Sequence, residues 1–393
     1  MPVRVWGFNS PLAHPPALHV GVPPRGALTA AGSRLVDQAS GGIASALSST
    51  LASMHVPRSA GLVTAGCLLL AVLGAWPAGA APVALPDSAA SGNLQLYAGT
   101  RPAVAPQGAT SVKTIRTADG LLRSYRIFVP SGDVRAAPLV VALHGGLGSG
   151  VQFSQNSGLD GLATSNRFIV VYPEGVGRLP DGSGGAQTWN GGNCCGPAAK
   201  QGIDDVRFVR RVISDVAREY RIDRNRVYAV GHSNGGIMAL RLACEASDVF
   251  AAVGVQSASL GITRCAPARP VAVMQIHGTA DTNVPITGGI GTGISGVDFD
   301  PPRKAARAFA ALDGCRARAV EMIGDVNSDL VLQRWISCRQ GSSVVFLTVQ
   351  SAGHAWMGHA ATSPLAEELV GPPYMRLDST RALWSFLAAH PRR

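Results

Sequence analysis

The run Val227-Tyr228-Ala229-Val230-Gly231-His232-Ser233-Asn234-Gly235-Gly236 opens β-branched and apolar, then breaks into Gly-x-Ser-x-Gly. A helical pattern follows at once, through Ile237, Leu240 and Leu242 to Cys244. Strand, sharp turn and helix in that order is the context of a nucleophile elbow. Gly231 and Gly235 have no Cβ, so the chain can turn tightly there. The Ser233 hydroxyl is then expected to stand at the strand end. The backbone N–H of Asn234, at the helix start, is expected to face the oxygen of a reacting carbonyl. The pentapeptide alone is a weak signal. A serine nucleophile also needs a base, an acid and a second oxyanion donor.

The regions around this run read as alternating strands and helices. Tyr125, Ile127 and Val129 recur at period two, as on a half-buried strand. Leu139 to Leu143, Phe168 to Tyr172, Ala251 to Val255, Val271 to Ile276 and Val344 to Val349 are continuous apolar runs. Runs of this kind, bounded by turn residues, fit strands buried on both faces of a parallel sheet. Val206, Val209, Ile213, Val216 and Tyr220 step by three and four, which predicts an amphipathic helix capped by Asp204 or Asp205. Further helical patterns cover Arg303 to Leu312 and Thr380 to Ala389. The alternation predicts one α/β domain with a mostly parallel central sheet flanked by helices and no large lid domain.

Active sites on such sheets gather beyond the carboxyl ends of the strands. Leu143 is followed by His144-Gly145-Gly146-Leu147, Ile276 by His277-Gly278-Thr279-Ala280-Asp281, and Val349 by Ser351-Ala352-Gly353-His354-Ala355-Trp356. The chain order Ser233, Asp281, His354 is the nucleophile, acid, base order of the α/β-hydrolase fold. The expected oxyanion donors are the N–H of Asn234 with that of Gly146 or Leu147. His359 is a competing base further from the strand end. His232 reads as a support beside the elbow, and His144 and His277 as loop histidines that bond backbone. Taken singly, Asp281 reads equally as a turn residue and His354 as a core histidine; the conjunction carries the assignment. Trp189, Trp356 and His144 are the candidate substrate contacts, with Trp356 at the site mouth. Trp384 falls in the terminal helix pattern and reads as core.

Length, charge and cysteines bound the rest. The 393 residues carry a net charge of +10, with charged residues at only 15% and hydrophobic ones at 46%. That composition suits a large buried core. No run of Lys and Arg interleaves with aromatics, so the basic excess reads as solvated surface and not as a nucleic-acid site. Residues 1–53 read as disordered or as an N-terminal extension from a start codon placed too early. Residues 54–80 read as a signal peptide: Met54, Arg58, an apolar stretch from Gly61 to Trp76, then Ala78-Gly79-Ala80. The apolar stretch is shorter than the roughly 20 residues a membrane span needs. A lipid anchor at Cys67 is a weaker reading, because the apolar run continues past it. Cleavage before Ala81 would remove four arginines and Asp37, leaving a charge of +7. Residues 81–110 read as a flexible lead-in and 111–390 as the catalytic domain. The chain ends soon after the last helical pattern, which favours soluble oligomers or small esters over crystalline polymer.

Six cysteines remain after the leader, as suits a secreted disulfide-bonded protein. None has the Cys-x-x-Cys spacing of a zinc site. Cys244 ends the helix after the elbow and Cys265 precedes the next strand, so these two are expected to pair. Cys315 and Cys338 are expected to pair by the same argument. Cys194 and Cys195 are adjacent, and form either a vicinal disulfide within their glycine-rich surroundings, or free thiols, or a bond elsewhere.

The chain resembles the secreted bacterial esterases of the family that contains polyhydroxybutyrate depolymerases and feruloyl and acetylxylan esterases. The resemblance rests on Leu143-His144-Gly145-Gly146, Tyr172-Pro173-Glu174-Gly175, Trp189-Asn190-Gly191-Gly192 with Cys194-Cys195-Gly196, Asp204-Asp205-Val206, Gly231-His232-Ser233-Asn234-Gly235-Gly236, His277-Gly278-Thr279-Ala280-Asp281 and Gly353-His354-Ala355-Trp356. It covers roughly 111 to 390. It implies an α/β-hydrolase fold, Ser233 as nucleophile, Asp281 as acid, His354 as base, an ester substrate, and no metal or organic cofactor. The sequence departs from the family at Ile286, where an aromatic residue is expected after Val284-Pro285. Two other classes stand beside this reading: a serine peptidase on the same fold, and a non-catalytic secreted binding protein. The oligomeric state is not legible.

Overall fold

A computed structural model describes residues 104–179, 181–293, 295–322, 329–361 and 363–393. The expectations for residues 1–53, 54–80 and 81–103 lie outside these described residues.

The chain enters through an antiparallel pair, β1 (Gly108–Arg116) and β2 (Leu122–Pro130), followed by β3 (Ala137–Leu143). The short helices α1 (Gly150–Ser157) and α2 (Leu159–Asn166) lead to β4 (Ile169–Pro173). Then come α3 (Gly196–Lys200), α4 (Asp205–Glu219), the elbow strand β5 (Ile222–His232), α5 (Asn234–Glu245), β6 (Ala252–Gln256) and β7 (Ala272–Gly278). A small hairpin, β8 (Gly289–Ile290) with β9 (Asp298–Phe299), precedes α6 (Pro302–Leu312). The chain closes with β10 (Ala317–Met322), β11 (Leu330–Ile336), β12 (Val344–Val349), α7 (Pro364–Val370) and α8 (Ser379–Ala388).

One ten-stranded sheet runs in the order β1-β2-β4-β3-β5-β6-β7-β12-β11-β10. Strands β4, β3, β5, β6, β7 and β12 are parallel, with antiparallel strands on both edges. This is the α/β-hydrolase arrangement, and no separate lid domain occurs among the described residues. Alternation along each central strand explains the two cores. Leu139, Val141, Val227 and Ala229 face one apolar cluster with α4, α5 and α6. Val140, Ala142, Tyr228 and Val230 face the other with α1, α2 and α8. Both faces are therefore apolar, and the continuous runs in the sequence follow from that.

The regular structure begins earlier than expected. β1 starts at Gly108, inside the stretch read as a flexible lead-in to 110. Nearly all of β1 is exposed, so its sequence lacks the alternation that marks a half-buried strand. Helix α1 was equally hard to read, since Phe153 is its one large buried side chain. Its ends form it: Ser149 accepts from the Gln152 N–H, and Gly158 closes it in the left-handed region at φ 65°. Asp204, not Asp205, caps α4, accepting from the Arg207 N–H at 2.9 Å.

Candidate active site

Strand β3 sits between β4 and β5. The helix after β3 packs on one face of the sheet and the helix after β5 on the other. A crevice therefore opens where the ends of β3 and β5 adjoin, as at a topological switch point. Ser233 lies there, half-buried, with φ 54° and ψ −125°. That strained conformation needs bare backbone around it. A Cβ on Gly231 would lie 2.3 Å from the Gly235 carbonyl oxygen, and one on Gly235 would lie 2.2 Å from the Leu143 oxygen. The two glycines are thus demanded by the close approach of the turn to itself and to β3.

His354 and Asp281 converge on Ser233. His354 Nε2 is 2.9 Å from Ser233 Oγ, and His354 Nδ1 is 2.9 Å from both carboxylate oxygens of Asp281. Both side chains are buried. Asp281 Oδ1 also accepts from the N–H groups of Asn283 at 3.0 Å and Val284 at 2.9 Å, which closes its loop. Burial pushes the Asp281 carboxyl up, but the charge and hydrogen bond of His354, with His277 and the Val284 N–H, outweigh burial and hold it below the usual carboxylate range. An ionised Asp281 fixes the proton of His354 on Nδ1. Nε2 is then free to accept a proton from the serine hydroxyl.

The other histidines are committed elsewhere. His232 Nε2 donates to the His354 carbonyl at 2.7 Å, and burial first, then the neighbouring His354, lowers its pKa to about 3. His277 bonds the Val284 carbonyl at 2.8 Å. His359 lines the cleft but lies beside Asp378, at 3.6 Å, not beside Ser233. His144 also lines the cleft, yet both its ring nitrogens serve backbone: Nδ1 to the Gly145 carbonyl at 2.8 Å and Nε2 to the Gly175 N–H at 3.0 Å. Its ring nitrogens therefore support the glycine loop, and only the ring itself is left to the cleft lining.

Of the two expected oxyanion donors on that loop, Leu147 is excluded. Its N–H donates to the Gln187 carbonyl at 2.8 Å and its φ is 65°. The N–H groups of Gly146 and Asn234 make no hydrogen bond among the described residues. A Cβ on Gly146 would sit 3.5 Å from Asn234 Cβ, so the two backbones lie side by side. The loop is braced from behind by Glu174, whose carboxylate accepts the Gly150 N–H at 3.0 and 2.9 Å.

Of the two tryptophans, Trp189 is corrected. Trp189 is fully buried and does not line the cleft; its indole N–H donates to the His144 carbonyl at 3.0 Å. Its backbone is clamped by the Asn234 side chain, which accepts the Trp189 N–H at 2.8 Å and donates to the Trp189 carbonyl at 3.0 Å. Trp356 lines the cleft but is only 1% exposed, edge-on to Phe153 and His232, with its N–H on Thr380 Oγ1. It forms floor, not mouth. Trp384 is partly buried and stacks on Phe168 at 4.1 Å. Ile286 packs against the core cluster of α4, α5 and α6 and not into the cleft.

The cleft has a volume of about 980 Å³. Its apolar lining includes Phe153, Ile237, Val284, Phe299 and the Cys194–Cys195 pair. Gln152, Asn156, Lys200 and Tyr374 contribute polar groups. The structure joins Cys194 to Cys195, Cys244 to Cys265, and Cys315 to Cys338. Among the described residues, no cluster of His, Cys, Asp or Glu could hold a metal ion, and no helix is long and apolar enough to cross a membrane.

Residues 123–288 match the family model described as Esterase PHB depolymerase. Feruloyl esterase B of Piromyces equi is 29% identical over 242 residues, covering 59% of this chain and 42% of that protein. The chain thus spans less than half the length of that relative. NocK of Nocardia uniformis subsp. tsuyamanensis, named as an esterase, is 29% identical over 362 residues, covering 84% of this chain and 98% of its own. Among solved structures, a ferulic acid esterase from Anaeromyces mucronatus in complex with ferulic acid has a TM-score of 0.48 at 14% identity, covering 74% of this chain and 93% of that one.

Proposed function

We propose that the chain, whose residues 123–288 match the model described as Esterase PHB depolymerase, is a secreted serine carboxylic ester hydrolase of that group acting on hydroxyalkanoate oligomers. The observation that carries the chemistry is the continuous relay from Ser233 Oγ through both ring nitrogens of His354 to Asp281, each step at 2.9 Å. It lies beside two uncommitted backbone N–H groups in an open cleft.

In this reading Ser233 Oγ attacks the ester carbonyl while His354 Nε2 takes its proton. Asp281 stabilises the imidazolium through Nδ1–H. The tetrahedral oxyanion lies between the N–H groups of Asn234 and Gly146, and each such donor is worth about 10²–10³ in turnover. His354 then protonates the leaving alcohol, and the C–O bond breaks to leave the acyl group on Ser233. Water, deprotonated by the same imidazole, attacks the acyl carbonyl and releases the acid. Ser233 recovers its proton, and no cofactor enters the balance.

The mixed lining of the cleft admits a second reading, in which the substrate is a feruloyl or acetyl ester of plant polysaccharide. The Piromyces relative is named for feruloyl esters. A hydrolysis panel on the purified protein separates the two: hydroxybutyrate oligomers, methyl ferulate and acetylated xylan. Turnover of the oligomers at the highest kcat/KM supports the first reading, and preference for methyl ferulate or the xylan replaces it with the second. Cleavage of peptide anilides in place of esters would refute both. Secretion predicts a mature N-terminus near Ala81, read by N-terminal sequencing of exported protein.

A further inference from the structure

Strand β12, which leads into the His354 loop, is separated from the elbow strand β5 by β6 and β7. The loop must therefore reach back across two strands to bring His354 to Ser233. Asp281 holds the imidazole from one side, but it does not fix the backbone that carries it. Gln256 does. It is the last residue of β6 and has no solvent exposure. Its side-chain Nε2 donates to the Ala355 carbonyl at 2.8 Å, and its Oε1 accepts the Met357 N–H at 3.1 Å. Its own carbonyl accepts the Ser233 N–H at 3.0 Å. One residue thus grips the nucleophile by its backbone and the base loop by its amide.

We infer that Gln256 is a positioning residue that sets the distance between Ser233 Oγ and His354 Nε2. The inference rests on the serine hydrolase reading above. The residue type follows from the task. A primary amide carries one donor edge and one acceptor atom in a fixed plane, matching a carbonyl and an N–H two residues apart on one loop. A carboxylate supplies only acceptors, and a methionine of similar length supplies neither. His232 adds a further tie to the same loop through the His354 carbonyl. His232 makes that tie from the elbow strand itself, whereas Gln256 reaches both reacting elements from β6, a strand that carries neither.

The experiment compares Gln256→Met and Gln256→Glu with Gln275→Met in the full secreted chain. Gln275 is an equally buried glutamine on β7 whose amide faces the Ala258 and Pro302 carbonyls at 3.4 and 3.3 Å, away from the base loop. The first readout is the rate constant for labelling of Ser233 by a fluorophosphonate probe, which needs the Ser–His pair but no particular ester. The second is kcat and KM for a p-nitrophenyl ester, with Tm measured alongside. Gln256→Met is expected to slow labelling and lower kcat by about 10–100-fold, as a displacement near 1 Å between reacting groups does, with KM within about twofold. Gln256→Glu at pH 8 keeps the acceptor and lacks the donor, and is expected to lose about tenfold or more. Gln275→Met is expected to lower Tm comparably and leave both rates within about twofold of wild type, the scale of a displacement that spares the reacting pair. If Gln256→Met and Gln256→Glu react at the rate of Gln275→Met, the inference is overturned and the hydrolase reading stands. If the wild type itself is not labelled at Ser233, both fall.

Discussion

Substituting Asp205 by alanine tests how the site is supported from below. Asp205 and Arg123 form a buried ion pair at 2.6 Å, with side chains 0% and 4% exposed. The second carboxylate oxygen accepts the Asn190 N–H at 2.7 Å. Arg123 also donates to the Glu174 carbonyl at 2.8 Å and lies 3.8 Å over the Phe208 ring. Burial raises the Asp205 pKa, and the Arg123 charge offsets only part of that. Asp205→Ala strands a guanidinium in the core and orphans one N–H. Breaking a buried pair from one side costs about 3–5 kcal/mol. At roughly 2–4 °C per kcal/mol for a domain of this size, Tm should fall by about 10 °C. Replacing both partners by apolar groups, Arg123→Met with Asp205→Leu, should recover most of that, because the cost is the unpaired charge and not the missing bond. Equilibrium urea unfolding followed by circular dichroism measures both variants against the wild type. The freed Asn190 adjoins Trp189, whose backbone holds the Asn234 side chain, so kcat of Asp205→Ala should also fall severalfold. A single-variant loss below about 1 kcal/mol, or a double variant no better than the single, would refute the account.

Three further outcomes are expected. Ser233→Ala should abolish ester hydrolysis with little change in Tm, Asp281→Asn and His354→Ala should each lower turnover by about 10³-fold or more, and His359→Ala should be mild; the reverse ranking of the two histidines in a kcat/KM comparison would reassign the base. Acid should destabilise the fold through its buried neutral histidines. Burial lowers His144 to about 4 and His232 to about 3, against about 6.5 in an unfolded chain, so protons bind the unfolded chain first as pH falls. The stability held by these neutral rings is full above about pH 6.5 and is lost as pH drops toward 4, about 2 kcal/mol per ring by pH 5. His144→Gln should flatten that slope in urea titrations by one ring's share, and an unchanged slope would contradict the assignment. Non-reducing peptide mapping should yield linked Cys244–Cys265 and Cys315–Cys338 peptides. Removing either pair with serines should cost about 3 kcal/mol in urea unfolding, and a Cys194–Cys244 peptide would overturn the pairing.

How much of this was legible in the sequence depended on whether the signal was local. The central strands could be read because both their faces are buried, and an apolar run needs no partner to be seen. The elbow could be read because Gly-x-Ser-x-Gly falls where the period changes from strand to helix. Asp281 and His354 could be placed near Ser233 because each closely follows a strand end, and parallel strands bring their ends together. Strands β1 and β10 are the sheet edges and β11 adjoins one of them; all three lack a continuous apolar run and give no such signal. The oxyanion loop was half legible. Glycines marked it, but the choice of Gly146 over Leu147 turns on the Gln187 carbonyl, which reaches the loop from 40 residues further along the chain. Gln256 gave no signal at all, since a lone glutamine at the end of an apolar run looks like the start of a loop.

The tryptophans show where residue type misleads. An aromatic side chain near a predicted site suggests stacking against substrate, and Trp189 and Trp356 both invite that reading. Both are instead held by their indole N–H groups to the framework, Trp189 on the His144 carbonyl and Trp356 on Thr380. The reason lies in Asn234. It stands at the first turn of α5, where an N–H has no helical acceptor and can face an oxyanion. For that N–H to be fixed, the side chain on the same residue must not rotate. The Trp189 backbone supplies both a donor and an acceptor to that side chain, and the Cys195 N–H shares the Trp189 carbonyl at 3.2 Å. The segment from Trp189 to Cys195 thus acts on the reaction through Asn234, with Trp189 buried as the anchor that makes its backbone rigid enough to serve. Within that segment the Cys194–Cys195 pair lines the cleft and Trp189 does not.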